Sequence, residues 1–380
     1  MIYLDEAATT KPKEEVINAM LPFFTDMWFN PSSLYGGAVE VARALEVSKY
    51  TISNSINAKC NEIYFTSGGS ESNCWAIQGF VNYWKSRGKE SVVITSTIEH
   101  HSIIECVENI DADFMFISVD KNGFINPRHL EQMLKQCRER FGCCKIIVSL
   151  QYANNEIGTI QNISELISIS HKYGAVFHTD AVQAFGHINI DVNELNVDML
   201  SVSGHKIGCP KGIGFLYIKN GIKINPIIYG TQNNGLRGGT ENVPYIIGLS
   251  KAVSLIDDSK TVKIKKIRDY AIDKLIDTFH VTLNGDKECR LPNNINVSFP
   301  YNVTGESLIY LLDMCDVYVS SGSACNSHID KPSHVLKAIG LSDEDARRSL
   351  RITLSEETTK EDIDKAIYEI DKQIKILESE

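Results

Sequence analysis

Short apolar segments alternate with segments of helical periodicity over the first two thirds of the chain. Runs with the character of buried strands occur at residues 92–94, 145–150, 174–177, 197–202 and 214–218. Apolar side chains recur at helical spacing over residues 77–84 and 163–173. Strands that alternate with helices form βαβ units whose strands pair in parallel. The sequence therefore predicts an α/β fold around a mainly parallel sheet.

The composition limits the class of protein. The 380 residues include 38 Lys+Arg and 48 Asp+Glu, which gives a formal net charge of −10. This negative balance argues against a broad nucleic-acid-binding surface. No apolar run approaches the roughly 20 residues that span a bilayer, and Asp5 and Glu6 stand where a signal peptide carries positive charge. We therefore expect a cytoplasmic protein with no membrane and no direct nucleic-acid partner.

The last third of the chain has a different pattern. Apolar residues at helical spacing from Ile264 to Leu275 indicate an amphipathic helix, and residues 294–299 have the character of a strand. Thr358 and Glu361 form a capping-box pattern at the start of a final helix with one apolar face. This part of the sequence predicts a smaller α+β domain.

The two patterns divide the chain into two domains of unequal size. We assign residues 14–257 to the large domain that contains the sheet. The small domain comprises residues 258–380 and residues 1–13, because chain termini often lie close together. A loop at about residues 320–332, rich in small side chains, belongs to this small domain.

Polar side chains follow the predicted strands, where parallel α/β sheets bind their ligands. Residues 66–72 place glycines and hydroxyl groups at the start of a helix, which is typical of an anion cradle. Later strand ends carry His100, His101, Asn154, Asn155, Asp180, Gln183, Ser203, His205 and Lys206. Each of these alone would more commonly be a turn or cap residue. Their succession at consecutive strand ends favours a common site.

One type of cofactor would use all of these groups. The glycine-rich segment suits a phosphate, and Lys206 suits a Schiff base with an aldehyde. Asp180 would pair with a protonated ring nitrogen. These properties together describe pyridoxal 5′-phosphate.

A series of short motifs resembles those of the cysteine desulfurases, the class V aminotransferase branch of the fold-type-I pyridoxal phosphate enzymes. The motifs are YLDEAATT at 3–10, NPSS at 30–33, TSGGSES at 66–72, EH at 99–100, NNE at 154–156, DAVQ at 180–183, HK at 205–206, LRGGT at 236–240, SSGSAC at 320–325 and SLR at 349–351. The resemblance covers nearly the whole chain. It implies a fold-type-I transferase with a mainly parallel seven-stranded sheet in the large domain and a smaller α+β domain.

The resemblance also implies a function and a set of partners. A cysteine desulfurase converts L-cysteine to L-alanine and passes the sulfur to an acceptor protein. Members of the family are homodimers, and they supply sulfur for iron–sulfur cluster assembly, tRNA thiolation or DNA phosphorothioation. Glu6, Tyr35, Asn233 and residues 354–356 depart from the commonest family pattern, which leaves the choice among these acceptors open.

Matching residues take their roles from the resemblance. Lys206 would form the Schiff base, Asp180 would pair with the pyridine nitrogen, and Gln183 would contact the phenolic oxygen. His100 would stack on the ring and take part in proton transfer. Asn155 would lie near the cofactor oxygen and help to hold the substrate.

Further matches concern the phosphate, the partner subunit and the substrate. The phosphate cup would consist of Gly69, Ser70, Ser203 and His205. Thr240 matches a residue that the family contributes across the dimer interface. Arg351 matches the arginine that binds the substrate α-carboxylate, a task suited to a bidentate guanidinium.

Cys325 stands apart from the other cysteines. The chain has 10 cysteines, too few for a disulfide scaffold and without the paired spacing of a zinc site. Nine of them suit buried or incidental positions, although Cys209 lies close to Lys206. Cys325 follows the small residues 320–324, which predict a loop. The resemblance implies that its thiolate attacks the substrate sulfur and becomes a persulfide once Lys206 has removed the α-proton.

Other functions remain open at this point. The nearest alternatives are a selenocysteine lyase, a cysteine sulfinate desulfinase and a plain transaminase. A different class of function would be a non-catalytic partner in a sulfur-transfer complex. The joint presence of Lys206, Asp180, His100 and Cys325 disfavours this last alternative.

Overall fold

A computed structural model describes residues 1–321 and 332–379. Cys325 and most of the predicted loop around it lie outside the described residues. The strands of the described part are β1 (Ile2–Tyr3), β2 (Ile63–Thr66), β3 (Ser91–Ser96), β4 (Asp113–Ile117), β5 (Lys145–Gln151), β6 (Val176–Asp180), β7 (Met199–Ser203), β8 (Gly214–Ile218), β9 (Thr282–Leu283), β10 (Asn294–Ser298), β11 (Val317–Tyr318) and β12 (Ser349–Thr353).

The α-helices connect and cover these strands. They are α1 (Glu14–Met20), α2 (Pro22–Thr25), α3 (Gly36–Ser55), α4 (Gly69–Lys85), α5 (His101–Glu108), α6 (Pro127–Phe141), α7 (Ile163–Lys172), α8 (Val192–Leu195), α9 (Val243–Ser254), α10 (Asp258–Phe279), α11 (Gly305–Asp313), α12 (His334–Ala338), α13 (Asp343–Arg347) and α14 (Lys360–Ser379). Short 3₁₀ helices occur at Cys60–Glu62, Gly204–Lys206 and Asn233–Gly235. Among the described residues, no helix has the length and apolar character needed to cross a membrane.

A seven-stranded sheet forms the centre of the fold, in the order β2-β8-β7-β6-β5-β3-β4. The five strands β4, β3, β5, β6 and β7 pair in parallel with one another, in that order. Strand β8 pairs antiparallel with both β2 and β7, so that β2 runs in the same direction as β7. The predicted mainly parallel seven-stranded sheet is therefore confirmed. Six of its strands end at the same edge, where ligands bind in such sheets.

Both faces of the sheet are buried, which explains the continuous apolar character of its strands. Val92 and Ile94 of β3 pack into one core cluster together with Phe177 of β6. Val93, between them in the sequence, points to the opposite face and packs with Trp75 of α4. Helices therefore cover both faces and leave the strand ends as the accessible part of the sheet.

A second core lies around a smaller sheet. Strand β10 pairs antiparallel with β12 and β9, and α10, α11 and α14 contribute apolar side chains to the same cluster. Ile2 and Leu4 belong to this cluster, and β1 pairs in parallel with β11. This packing supports our proposal that residues 1–13 and 258–380 form the small domain.

The start of α14 differs by one residue from the predicted capping box. Thr359 Oγ1 accepts a hydrogen bond from the Asp362 N–H at 3.1 Å, and Asp362 Oδ2 accepts one from the Thr359 N–H at 2.9 Å. Thr358 Oγ1 instead accepts from the Ser355 N–H at 3.0 Å. The prediction of a box between Thr358 and Glu361 is wrong, because consecutive threonines offer two registers and the preceding turn uses the first of them.

Candidate active site

A cavity of about 270 Å³ lies where the strand ends of the large sheet face the smaller sheet. Its lining includes Gly69, Ser70, His100, Asn155, Asp180, Gln183, Ser203, His205, Lys206 and Arg351. All of these except Arg351 follow or end strands of the large sheet. Arg351 lies on β12, so the cavity requires both sheets.

Helix α4 directs its N-terminus at the cavity. The helix begins at Gly69, immediately after the turn that follows β2. A Cβ atom at this position would lie 2.7 Å from Val182 Cγ2, so a larger residue would displace the neighbouring loop. Gly69 and Ser70 therefore leave the first N–H groups of a long helix open to the cavity. Such an end attracts an anion.

Asp180 is the last residue of β6 and is held by two donors. Its Oδ1 accepts a hydrogen bond from the Val182 N–H at 2.9 Å, and its Oδ2 accepts one from Asn73 Nδ2 at 2.7 Å. Hydrogen bonds to both oxygens stabilise the ionised carboxylate. Asp180 is consequently a fixed carboxyl group at the cavity, suited to a ring nitrogen.

Lys206 lies in the 3₁₀ turn that follows β7, and it reaches the N-terminal segment. Its Nζ donates to the carbonyl oxygens of Ala7 at 2.5 Å and Ala8 at 2.8 Å. Gln183 Nε2 also donates to the Ala7 carbonyl, at 3.1 Å. The main chain of residues 7–8 thus fixes two of the side chains that line the cavity.

Burial lowers the pKa of two histidines that line the cavity, His205 and His100. Burial lowers the pKa of His205 to about 4, with further contributions from the charges of Lys206 and Lys211. Burial also lowers the pKa of His100. The ring of His101, next in the chain, lies 4.6 Å from the ring of His334 between centroids.

Arg351 is almost completely buried, with 3% of its surface exposed. Its Nη2 lies 2.9 Å from Asp5 Oδ1, and its Nη1 donates to the Asn155 carbonyl at 3.3 Å. Its Nε has no hydrogen-bond partner among the described residues. Asp5 therefore orients the guanidinium and balances its charge.

Two buried glutamates lie beside these groups. Glu99 Oε1 accepts from Ser96 Oγ at 2.5 Å and from the Gln151 N–H at 3.1 Å. Burial raises the pKa of Glu99 to about 8. Burial also raises the pKa of Glu156 to about 7, although Ser333 Oγ donates to its carboxylate at 2.5 Å.

The residues present fit pyridoxal phosphate. The start of α4 provides the anion cradle, and a Cβ at Gly69 would collide with the Val182 side chain beside it. Asp180 offers a carboxyl group for the ring nitrogen, and Lys206 offers the amine for a Schiff base. No group of His, Cys, Asp and Glu within residues 1–321 and 332–379 has the arrangement of a metal site.

Some predicted site residues do not join the cavity. Thr240 is exposed and is absent from the lining. Cys325 lies outside the described residues. Cys209 is fully buried, and burial raises the pKa of its thiol to about 12, so its closeness to Lys206 in the sequence gives it no reactive position.

Sequence reasoning missed two residues that support the site. Asn73 donates to Asp180, and Asp5 pairs with Arg351. Asn73 lies one helical turn after Gly69, on the same side of α4 as the anion cradle, and this spacing was an available signal. Asp5 lies in one of the quoted motifs, but nothing in the sequence indicates a partner 346 residues away.

The chain is similar to proteins of one family over most of its length. The family model for class V aminotransferases matches residues 2–366. The cysteine desulfurase IscS of Dictyoglomus turgidum is 45% identical, over 99% of this chain and 94% of that protein. The cysteine desulfurase IscS of Methanosarcina thermophila is 42% identical, over 96% of this chain and 90% of that protein.

Solved structures of similar proteins share the fold of this chain. A NifS-like protein superimposes with a TM-score of 0.88 at 30% identity and covers 100% of both chains. A structure of SspA in complex with cysteine has a TM-score of 0.81 at 33% identity, over 93% of this chain and 99% of that one.

The titration of Glu99 should appear in the pH dependence of stability. The pKa of Glu99 is raised from 4.5 to about 8 in the folded protein, so its contribution is fully favourable below pH 4.5 and is lost as the pH rises toward 8. Glu99→Gln keeps the acceptor for Ser96 and Gln151 but does not titrate. We expect the free energy of unfolding in urea to fall less steeply over this pH range for Glu99→Gln than for the parent.

Glu90 provides the matched control for this measurement, because it is exposed. Glu90→Gln should keep the parental slope of unfolding free energy against pH. Equal slopes for Glu99→Gln and the parent would contradict a neutral, buried Glu99.

Proposed function

The chain belongs to the class V aminotransferase family, and on this premise we propose that it is a pyridoxal-phosphate-dependent cysteine desulfurase. The enzyme converts L-cysteine to L-alanine and transfers the sulfur to an acceptor. The observation that carries the proposal is the convergence of Lys206, Asp180 and Arg351 on one cavity. They supply an amine for the cofactor, a carboxylate for its ring and a guanidinium for an amino-acid carboxylate.

Pyridoxal phosphate, when bound, supplies the electron sink for bond changes at the substrate carbons. The N-terminus of α4 and the side chains of Ser70, Ser203 and His205 hold its phosphate. Asp180 pairs with the ring nitrogen, and Gln183 contacts the phenolic oxygen. Each of these side chains lines the cavity.

The chain's own groups bind the substrate and move its proton. Arg351 binds the α-carboxylate of L-cysteine in an orientation set by Asp5. Asn155, whose carbonyl accepts from Arg351, helps to hold the substrate. The amine of Lys206, next to the carbonyls of Ala7 and Ala8, removes the α-proton.

Cys325 is the proposed sulfur acceptor. Its thiolate attacks the sulfur of the substrate and forms an S–S bond, while the substrate C–S bond breaks. The electron pair of the broken bond remains on the β-carbon, which takes up a proton to give L-alanine. The cysteine persulfide then passes its outer sulfur to an acceptor protein.

We also propose that the enzyme is a homodimer. Nine large apolar side chains between residues 17 and 50 are exposed, including Trp28 at 67% and Leu34 at 97%. Exposed apolar groups at this density mark an association surface. Thr240 does not line the cavity of its own chain, in agreement with a role in the cavity of a second copy.

Mass spectrometry after treatment with L-cysteine tests the proposed reaction. We expect a mass increase of one sulfur atom on the peptide that contains Cys325, together with L-alanine. Cys325→Ala should keep the visible absorbance of the cofactor but lose sulfide release from L-cysteine in the presence of a reductant. Turnover of L-cysteine at the parental rate by Cys325→Ala would refute the persulfide mechanism, and retained activity on selenocysteine alone would favour the lyase.

Replacement of Arg351 tests the substrate clamp. Arg351→Lys loses the bidentate geometry, and we expect KM for L-cysteine to rise about tenfold or more, on the scale of a charge-assisted hydrogen bond. Steady-state kinetics of Arg348→Lys, whose parent residue pairs with Glu344 outside the cavity, provide the control. An unchanged KM in Arg351→Lys would place the carboxylate elsewhere.

Charge insertion tests the proposed dimer. Leu34→Asp should dissociate the dimer and weaken cofactor binding, because Thr240 would no longer reach a second cavity. Met314→Asp is the control, since Met314 is 83% exposed outside the segment between residues 17 and 50. Light scattering should give twice the 42.4 kDa mass of the chain for the parent and the control. A monomeric parent with full activity would contradict the proposal.

A further inference from the structure

Asn73 is a buried side chain with two partners at the cavity. It is 1% exposed, and its Nδ2 donates to Asp180 Oδ2 at 2.7 Å and to Ser102 Oγ at 3.1 Å. An amide nitrogen carries two protons, so both are committed. The opposite orientation of the amide would direct its oxygen at the Asp180 carboxylate. Asp180 therefore fixes which end of Asn73 faces Ser102.

Ser102 connects Asn73 to His100 through hydrogen bonds. Because its Oγ accepts from Asn73, its own proton is directed to the neighbouring His100 Nδ1, at 2.8 Å. The Ser102 backbone N–H also donates to His100 Nδ1, at 3.1 Å, since His100 is the N-cap of α5. Two donors converge on one ring nitrogen, which must then lack a proton. The proton of the neutral imidazole is left on Nε2.

We propose that Asn73 and Ser102 are positioning residues that hold His100 of the resting enzyme as the neutral Nε2–H tautomer. His100 then presents an N–H donor to the cavity. It accepts a further proton only at Nδ1, and only after both Ser102 donors have been released. His100 therefore acts first as a hydrogen-bond or proton donor through Nε2. In the resting enzyme, a group other than His100 must act as the base.

The surroundings of His100 agree with a neutral ring. Burial is the largest influence and opposes protonation, and the charges of Lys206 and His101 oppose it as well. Asp180 is the second-largest influence and acts in the opposite direction, but the net effect is a lowered pKa of His100. The use of the His100 Nε2–H group in the reaction rests on the proposed function. The tautomer itself follows from the hydrogen bonds of Asn73 and Ser102 alone.

Nitrogen NMR of the holoenzyme tests the tautomer directly. Solid-state spectra of protein labelled with ¹⁵N-histidine distinguish protonated from unprotonated ring nitrogens, and comparison with His100→Gln identifies the His100 signals. We expect a protonated Nε2 and an unprotonated Nδ1 at neutral pH. A protonated Nδ1 would overturn the proposal. The predicted tautomer in a protein without desulfurase activity would leave this proposal standing and refute the proposed function alone.

Variants test whether Asn73 acts through Ser102. Ser102→Ala should raise the pKa of His100, read from the ¹⁵N shifts against pH, by about half to one unit, because a hydrogen bond to the neutral ring is lost. Ser102→Thr keeps the hydroxyl and should keep the parental value. Asn73→Leu should shift the pKa in the same direction, and the double variant by less than the sum. An unchanged pKa in Ser102→Ala, or fully additive shifts, would contradict the proposal.

Discussion

The hydrogen bonds from Lys206 to the carbonyls of Ala7 and Ala8 make the site depend on both cores of the protein. Lys206 lies in the turn that follows β7 of the large sheet. The N-terminal segment that accepts its hydrogen bonds begins in the second core, where Ile2 and Leu4 are buried. Asp5 extends the same connection to Arg351. A shift of the small domain would therefore move the lysine's partners and the guanidinium together. The first eight residues act as a structural link between Lys206 and Arg351.

Hydrogen-bond donors are arranged differently around Asp180 and Glu99, two carboxyl groups at the strand ends. Asp180 has one donor on each oxygen. Glu99 receives both of its donors on Oε1 and leaves Oε2 without a partner. Burial then dominates and raises the pKa of Glu99 to about 8. Two carboxyl groups at one edge of the sheet thus differ in their hydrogen bonding, and the one with a donor on each oxygen is the group suited to a ring nitrogen.

The sequence was sufficient to predict those site residues that lie at the ends of strands. Residues at strand ends, such as His100, Asp180 and Lys206, could be grouped because parallel strands bring their ends to one edge. Side chains whose partners lie across the fold could not be found in this way. Asn73 has the pattern of an ordinary helix residue, and its contact with Asp180 spans 107 positions. Strand β4 was also missed, because Asp113 and Phe114 are exposed at the edge of the sheet and lack the buried pattern of its neighbours.

The ion pair of Arg351 explains how a core strand accommodates a charged side chain. Transfer of an unpaired guanidinium into a buried site costs several kcal/mol, and Asp5 offsets that cost before any ligand arrives. Nη2 contacts Asp5 and Nη1 contacts the Asn155 carbonyl, so the guanidinium has a fixed orientation where it lines the cavity.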